Sequence, residues 1–104
     1  KAMLLDRVCT LEEDPHPLRF CEIEDPSLGE HDFLIRVSAC GVCHTELDEI
    51  EGRTPPSFFP IVPGHQIVGR VAAAGKNASR YRIGDRVGVA WIFSACGKCK
   101  LCRA

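Results

Sequence analysis

Asp32-Phe33-Leu34-Ile35-Arg36-Val37-Ser38-Ala39 runs without a break into Cys40-Gly41-Val42-Cys43-His44-Thr45-Glu46. The first half has a period of two. Phe33, Ile35, Val37 and Ala39 fall on one side, and Leu34, Arg36 and Ser38 on the other, which predicts a strand over Asp32–Ala39. That strand delivers the chain directly to a thiol, an imidazole, a hydroxyl and a carboxylate in consecutive positions. From His44 to Ile50 the spacing suits a short helix, with Thr45 as N-cap and Asp48 three residues on.

Working outward, Ala2–Cys9 and Leu18–Ile23 read as strands, separated by a loop containing Pro15 and Pro17. Asp25-Pro26-Ser27-Leu28-Gly29-Glu30 is turn chemistry. The four prolines between Gly52 and Pro63 predict an irregular loop. Ile67–Ala74 alternates again, with Val68, Arg70 and Ala72 opposing Ile67, Gly69, Val71 and Ala73. Gly75-Lys76-Asn77 is a turn, and Gly84-Asp85 feeds a strand over Arg86–Trp91. Short strands, few helices and glycines at the corners (Gly64, Gly69, Gly75, Gly84, Gly88) predict a mainly β fold, a small barrel or sandwich with short helical segments.

At 104 residues the chain is sized for one domain. A net charge of −1 points away from nucleic acid and from anionic membranes as partners. No apolar stretch is long enough to span a bilayer, and Lys1–Arg7 lacks the apolar core of a secretory signal. Seven cysteines is an odd number, and their spacing favours reduced, metal-binding thiols and a cytoplasmic setting over a disulfide framework. Cys9 and Cys21 stand alone in strand-like segments and read as small apolar fillers.

Two constellations carry the chemistry. Cys43 follows one strand and His65, in Pro63-Gly64-His65-Gln66, precedes another. Two adjacent strand ends bring such residues to one zinc ion, which takes sulfur and nitrogen donors in a tetrahedron. Cys96, Cys99 and Cys102 repeat every third position, flanked by Lys98 and Lys100. They read as part of a structural zinc site, with a redox pair as the other reading. No Gly-x-Gly-x-x-Gly follows a strand, so a dinucleotide-binding fold has no place in these residues.

Gly64-His65-Gln66, Gly69 and Gly75 at matching spacing, and Gly84-Asp85-Arg86-Val87 together resemble the zinc-dependent medium-chain alcohol dehydrogenases. The resemblance runs over essentially the whole chain and is to their N-terminal catalytic domain, residues 1–104 here. It implies a GroES-like, partly open β-barrel, C-terminally truncated, with the Rossmann cofactor domain and a third ligand of the catalytic zinc lying further along. By the same resemblance Cys43, not Cys40, and His65 hold the catalytic zinc. His44 meets the pyrophosphate of NAD or NADP, and Thr45 hydrogen-bonds the substrate oxygen. Glu46, normally aspartate, orients the ligand histidine. Cys96, Cys99 and Cys102 belong to a four-cysteine structural zinc lobe.

Two positions depart from that family. Gln66 replaces a glutamate that can approach the metal, offering a neutral amide oxygen instead. Asp48 stands where many members have a histidine that passes a proton to solvent, and an acidic carboxylate matches neutral pH less well. The implied activity is oxidation of a small alcohol to an aldehyde or ketone by hydride transfer to NAD(P), or the reverse, in a protein that is a homo-oligomer when intact. The 104-residue chain alone is expected to be inactive. Phe58, Phe59 and Trp91 are candidates for an apolar pocket, with core or interface packing as the other reading. A GroES-like zinc-binding module without catalysis is the alternative function. A zinc-free reductase of the same superfamily is a further one, against which the Cys43–His65 pair argues.

Overall fold

A computed structural model of the chain describes residues 1–92 and 95–103. The end of the chain at Ala104 lies outside the described residues. Among these residues seven elements follow in order: β1 (Ala2–Leu5), β2 (Leu18–Cys21), β3 (Phe33–Gly41), α1 (His44–Ile50), β4 (Gln66–Ala74), β5 (Arg86–Val89) and α2 (Lys100–Arg103). The fold is mainly β, as the alternating segments predicted.

The strands form two antiparallel sheets, β1-β2 and β3-β4-β5. A bridge between Leu5 and Ile61 stitches the proline-rich loop to the first sheet, with Leu5 N donating to Ile61 O at 2.8 Å and Ile61 N to Leu5 O at 3.0 Å. The two sheets do not close into one barrel among the described residues. The core is small. Leu5, Cys9 and Ile50 are buried together, with Leu18 and Ile61 packed against them, and Val71 is buried separately on β4. Cys9 is thus an apolar filler. The chain exposes 8330 Å², against roughly 5,800 Å² for a compact monomer of its mass. Val37, Val42, Trp91 and Ile92 are among the large apolar side chains left on the surface.

Several boundaries differ from the sequence expectation. The first strand stops at Leu5 because the chain then turns to give Cys9 N to the carbonyl of Ile50 at 3.0 Å. The second stops at Cys21, which pairs with Ala2, the first residue of its short partner. The strand from Arg86 ends at Val89, whose partner Ile67 completes that ladder. In β3 the strict alternation fails. Register shifts fall between Leu34 and Ile35 and between Val37 and Ala39, and Val37 is 54% exposed. Such bulges insert an unpaired residue and bend the strand.

Gly75 is required by close approach. A Cβ there would lie 2.1 Å from the Gly29 carbonyl oxygen and 2.5 Å from that of Glu30. This contact packs the 75–78 turn against the segment that leads into β3, and so fixes where β3 begins. Gly88, read as a corner, lies within β5 and has nothing nearer to an added Cβ than Ile67 O at 3.8 Å.

Candidate metal centre

The last β3 residue, Gly41, pairs with the first β4 residue, Gln66. The residues just beyond this pair therefore converge: Cys43 two positions after β3 and His65 one position before β4. Cys43 Sγ lies 3.4 Å from His65 Nε2. The other ring nitrogen, Nδ1, lies 2.9 Å from Glu46 Oε1. The imidazole is thus held between a thiol on one side and a carboxylate on the other.

Helix α1 builds this arrangement. Its N-cap is Cys43, in extended conformation, not Thr45 as the sequence reading had it. The Cys43 sulfur accepts from Thr45 N at 3.4 Å, while Glu46 Oε2 accepts from Cys43 N at 2.7 Å. This reciprocal pair is a capping box in which sulfur takes the place of a hydroxyl. Thr45 was the natural choice by residue type, but the glutamate at the third helical position is the feature that locates the cap.

Glu46 is 7% exposed, the one buried charged residue among those described. Burial alone would raise its carboxyl. The backbone N–H groups of Cys43 and of Glu46 itself, the Cys43 thiol and the nearby His65 outweigh that and hold it below the ordinary value. The His65 approach to Oε1 is an ion-pair distance without the alignment of a hydrogen bond, so this buried oxygen has no aligned donor.

The donor set fits zinc. Zinc bonded to sulfur at about 2.3 Å and nitrogen at about 2.05 Å in a tetrahedron separates those donors by roughly 3.6 Å, close to the 3.4 Å found. Cys43, Glu46 and His65 offer donor atoms all within 4.8 Å of one another. Because Glu46 faces Nδ1 and the thiol faces Nε2, the carboxylate is placed to orient the ring, leaving Nε2 toward the sulfur. Gln66 is exposed and its side-chain oxygen lies over Gly41, where an added Cβ would come within 2.6 Å of it. Cys40 is exposed, near Gly64, and is not part of the cluster.

The remaining expected residues surround this centre. Thr45 and His65 line an open cleft of about 940 Å³ that continues over Gln66, Val68 and Gly88 to Trp91. Phe58 and Phe59 do not line it. His44 is exposed and its Nδ1 lies 3.2 Å from Asp48 Oδ1, one helical turn on. Arg53, which the sequence reading missed, pairs with both Asp48 and Glu51. Hydrogen bonding to the Arg53 guanidinium, reinforced by His44, holds the Asp48 carboxyl below its ordinary value. No helical spacing signals that pairing, because Arg53 lies past the end of α1.

The second cluster sits on and before α2. Cys96 Sγ lies 3.8 Å from Cys102 Sγ, and Cys99 Sγ 3.5 Å from Cys102 Sγ. Thiolates on one tetrahedral zinc are about 3.8 Å apart. The backbone N–H groups of Lys98 and Cys99 point at the Cys96 sulfur and lower its thiol to about 7. All three cysteines are exposed.

Comparison with known proteins shows what the chain as a whole is similar to. The family described as the alcohol dehydrogenase GroES-like domain matches residues 29–104. An alcohol dehydrogenase of Geobacillus stearothermophilus is 38% identical over 97 residues, covering 92% of this chain and 29% of that protein. A probable cinnamyl alcohol dehydrogenase of Arabidopsis thaliana is 45% identical over 74 residues, covering 71% of this chain and 21% of the relative. Among solved structures, a zinc-dependent alcohol dehydrogenase from Streptococcus pneumonia superposes with a TM-score of 0.82 at 25% identity, covering 99% of this chain and 28% of that one. The chain thus spans less than a third of the length of these relatives. Among the described residues, no helix is long and apolar enough to cross a membrane.

Proposed function

We propose that this chain, which belongs to the alcohol dehydrogenase GroES-like domain family, supplies the zinc-holding half of an NAD(P)-linked alcohol dehydrogenase active site. The observation that carries the reading is the His65 ring held between Cys43 Sγ at 3.4 Å and Glu46 Oε1 at 2.9 Å. Cys43 and His65 would hold a catalytic zinc, and Cys96, Cys99 and Cys102 a structural one. Bound zinc supplies Lewis acidity toward an alcohol or carbonyl oxygen.

The chain's own residues do the rest on this side of the site. Glu46, 2.9 Å from Nδ1, orients the His65 ring through its charge. Thr45, exposed at the cleft beside His65, takes or passes the proton of the substrate hydroxyl. His44, with Nδ1 tied to Asp48, presents its other nitrogen outward to an anionic cofactor phosphate. Asp48 is the weakest candidate for a proton relay, since Arg53 and His44 hold it ionised well into acid. The apolar floor at Val68 and Trp91 suits a small alcohol, aldehyde or ketone. The domain assignment, residues 1–104 as the catalytic part of a longer cytoplasmic, homo-oligomeric enzyme, belongs to the same proposal.

The test is metal analysis and NAD(P)-linked alcohol oxidation by the protein that carries this chain, with and without Cys43→Ser. Stoichiometric zinc and oxidation lost in the variant support the reading. Substoichiometric zinc, or activity retained in Cys43→Ser, overturns it. Zinc bound without oxidation of any alcohol identifies a zinc-binding module instead.

A further inference from the structure

Three arginines form a row across the second sheet, away from both thiol clusters. Arg36 of β3 lies directly opposite Arg70 of β4, and Arg70 directly opposite Arg86 of β5. Directly opposed residues emerge on one face, and all three are exposed. With strands about 4.8 Å apart, the row is roughly 10 Å long. Like charges placed opposite one another destabilise a sheet, so such a row needs a reason.

Among the described residues, three arginines outside the row pair with carboxylates; Arg80, Arg82 and Arg103 do not, but none of these opposes another arginine across a ladder. Arg7 pairs with Asp14, Arg19 with Asp6, and Arg53 with Asp48 and Glu51. Among the described residues, no carboxylate pairs with Arg36, Arg70 or Arg86. The adjacent Asp85 is turned away, its Oδ2 accepting from Arg82 N at 2.8 Å. Arg70 is fixed in place by donating Nη1 to the Gly84 carbonyl at 2.8 Å. Arg36 and Arg70 also line a cavity of about 280 Å³, walled by Val71, Ala72, Ile83 and Gly84.

We propose that the Arg36–Arg70–Arg86 row and this cavity bind a multiply charged phosphate oxyanion of diphosphate size. The guanidinium fork matches phosphate oxygens bidentately. A monocarboxylate would satisfy one guanidinium and leave two repelling. A nucleic acid is disfavoured because a row of about 10 Å meets too few phosphates to compensate a chain of net charge −1. The site is separate from the zinc centres, and the inference stands without them.

Titration calorimetry of the protein with sodium diphosphate at low salt tests it, with ADP as a second probe to distinguish a nucleotide source from a free oligophosphate. Diphosphate should bind more tightly than monophosphate. Arg36→Gln and Arg86→Gln should each weaken it by roughly tenfold, the loss expected for one charged hydrogen-bonding group. Arg36→Gln removes no hydrogen bond seen in the fold and keeps the test valid even if Arg70→Gln unfolds. Row-dependent ADP binding tighter than that of diphosphate assigns a nucleotide, and equal binding assigns an inorganic oligophosphate. Diphosphate no tighter than monophosphate, or losses matched by the control Arg7→Gln, overturns the proposal.

Discussion

Glu46→Gln isolates the carboxylate that holds the histidine. The amide keeps the volume and still accepts from Cys43 N, now 2.7 Å away, so the helix cap survives in shape. What is lost is charge, at a site only 7% exposed. Hydrogen bonds to a charged acceptor are worth roughly 1.5–3 kcal/mol and neutral ones about 1 kcal/mol, so the change costs about 1.5 kcal/mol. That cost falls on the fold; the effect on zinc affinity comes through the ring that Glu46 orients, and roughly tenfold, the lower end of the 10–100-fold range typical of such groups, is expected because Oε1 has no aligned donor. Competition with a chromophoric chelator reads the affinity, in a background where Cys96, Cys99 and Cys102 are replaced by serine so that one site remains. The same change should lower the melting temperature of the metal-free chain at pH 7 by roughly 6–12 °C. The sign with pH follows from the lowered Glu46 carboxyl. Its stabilisation is complete above its ordinary value of 4.5 and fades as pH falls through the lower folded value. The gap between parent and Glu46→Gln should therefore close in acid. Zinc affinity unchanged within about twofold, with equal melting at pH 7, refutes the assignment of Glu46 as the positioning carboxylate.

Gly75→Ala should destabilise the chain by roughly 3 kcal/mol or more, because its Cβ meets two backbone carbonyls that cannot yield cheaply. Gly88→Ala should stay within about 1 kcal/mol, and urea titration of both variants measures the contrast. Comparable midpoints would show that the 75–78 turn is not tightly packed. Leu5→Ala, at the one fully buried large side chain among the described residues, should cost about 2–5 kcal/mol by the same titration. In the metal-free chain, iodoacetamide should alkylate Cys96 with half-maximal rate near pH 7, where its thiol titrates. A midpoint near the ordinary thiol value, mapped by mass spectrometry, would remove the Lys98 and Cys99 amides as its cause.

Much of the fold was legible because period-two patterning survives in β4. Gly69 and Val71 are buried there while Val68, Arg70 and Ala72 are exposed. It was less legible in β3, where the register against β4 shifts twice, leaving Ala72 of β4 and Ser38 of β3 unpaired, and the pattern of apolar residues no longer tells which face is covered. The strand ending at Cys21 was overrun because its partner begins at Ala2, whereas Val89 ends its ladder although β4 runs one residue further, to Gln66. A single strand's composition carries no record of its partner's length.

The site divides along the same line. That Cys43 and His65 sit at strand ends is local and readable. That they meet is set by the Gly41–Gln66 pair, a matter of register between two strands whose intervening loop holds four prolines. The register matters here as much as the donors do. A one-residue slip between β3 and β4 would turn every β3 side chain to the other face. It would also displace Gly41 from Gln66 by about 3.3 Å along the strand, enough to break the 3.4 Å approach of sulfur to Nε2. The two register shifts, at Leu34/Ile35 and Val37/Ala39, cancel, so Gly41–Gln66 keeps the register of Phe33–Ala74, and the steric lock at Gly75, next to Ala74, helps hold the histidine against the thiol from a distance. Gly75→Ala should consequently weaken zinc binding as well as folding, although it touches no donor. A Gly75→Ala chain with parental zinc affinity would show that α1 and its Cys43–Glu46 box suffice to place the site without the sheet.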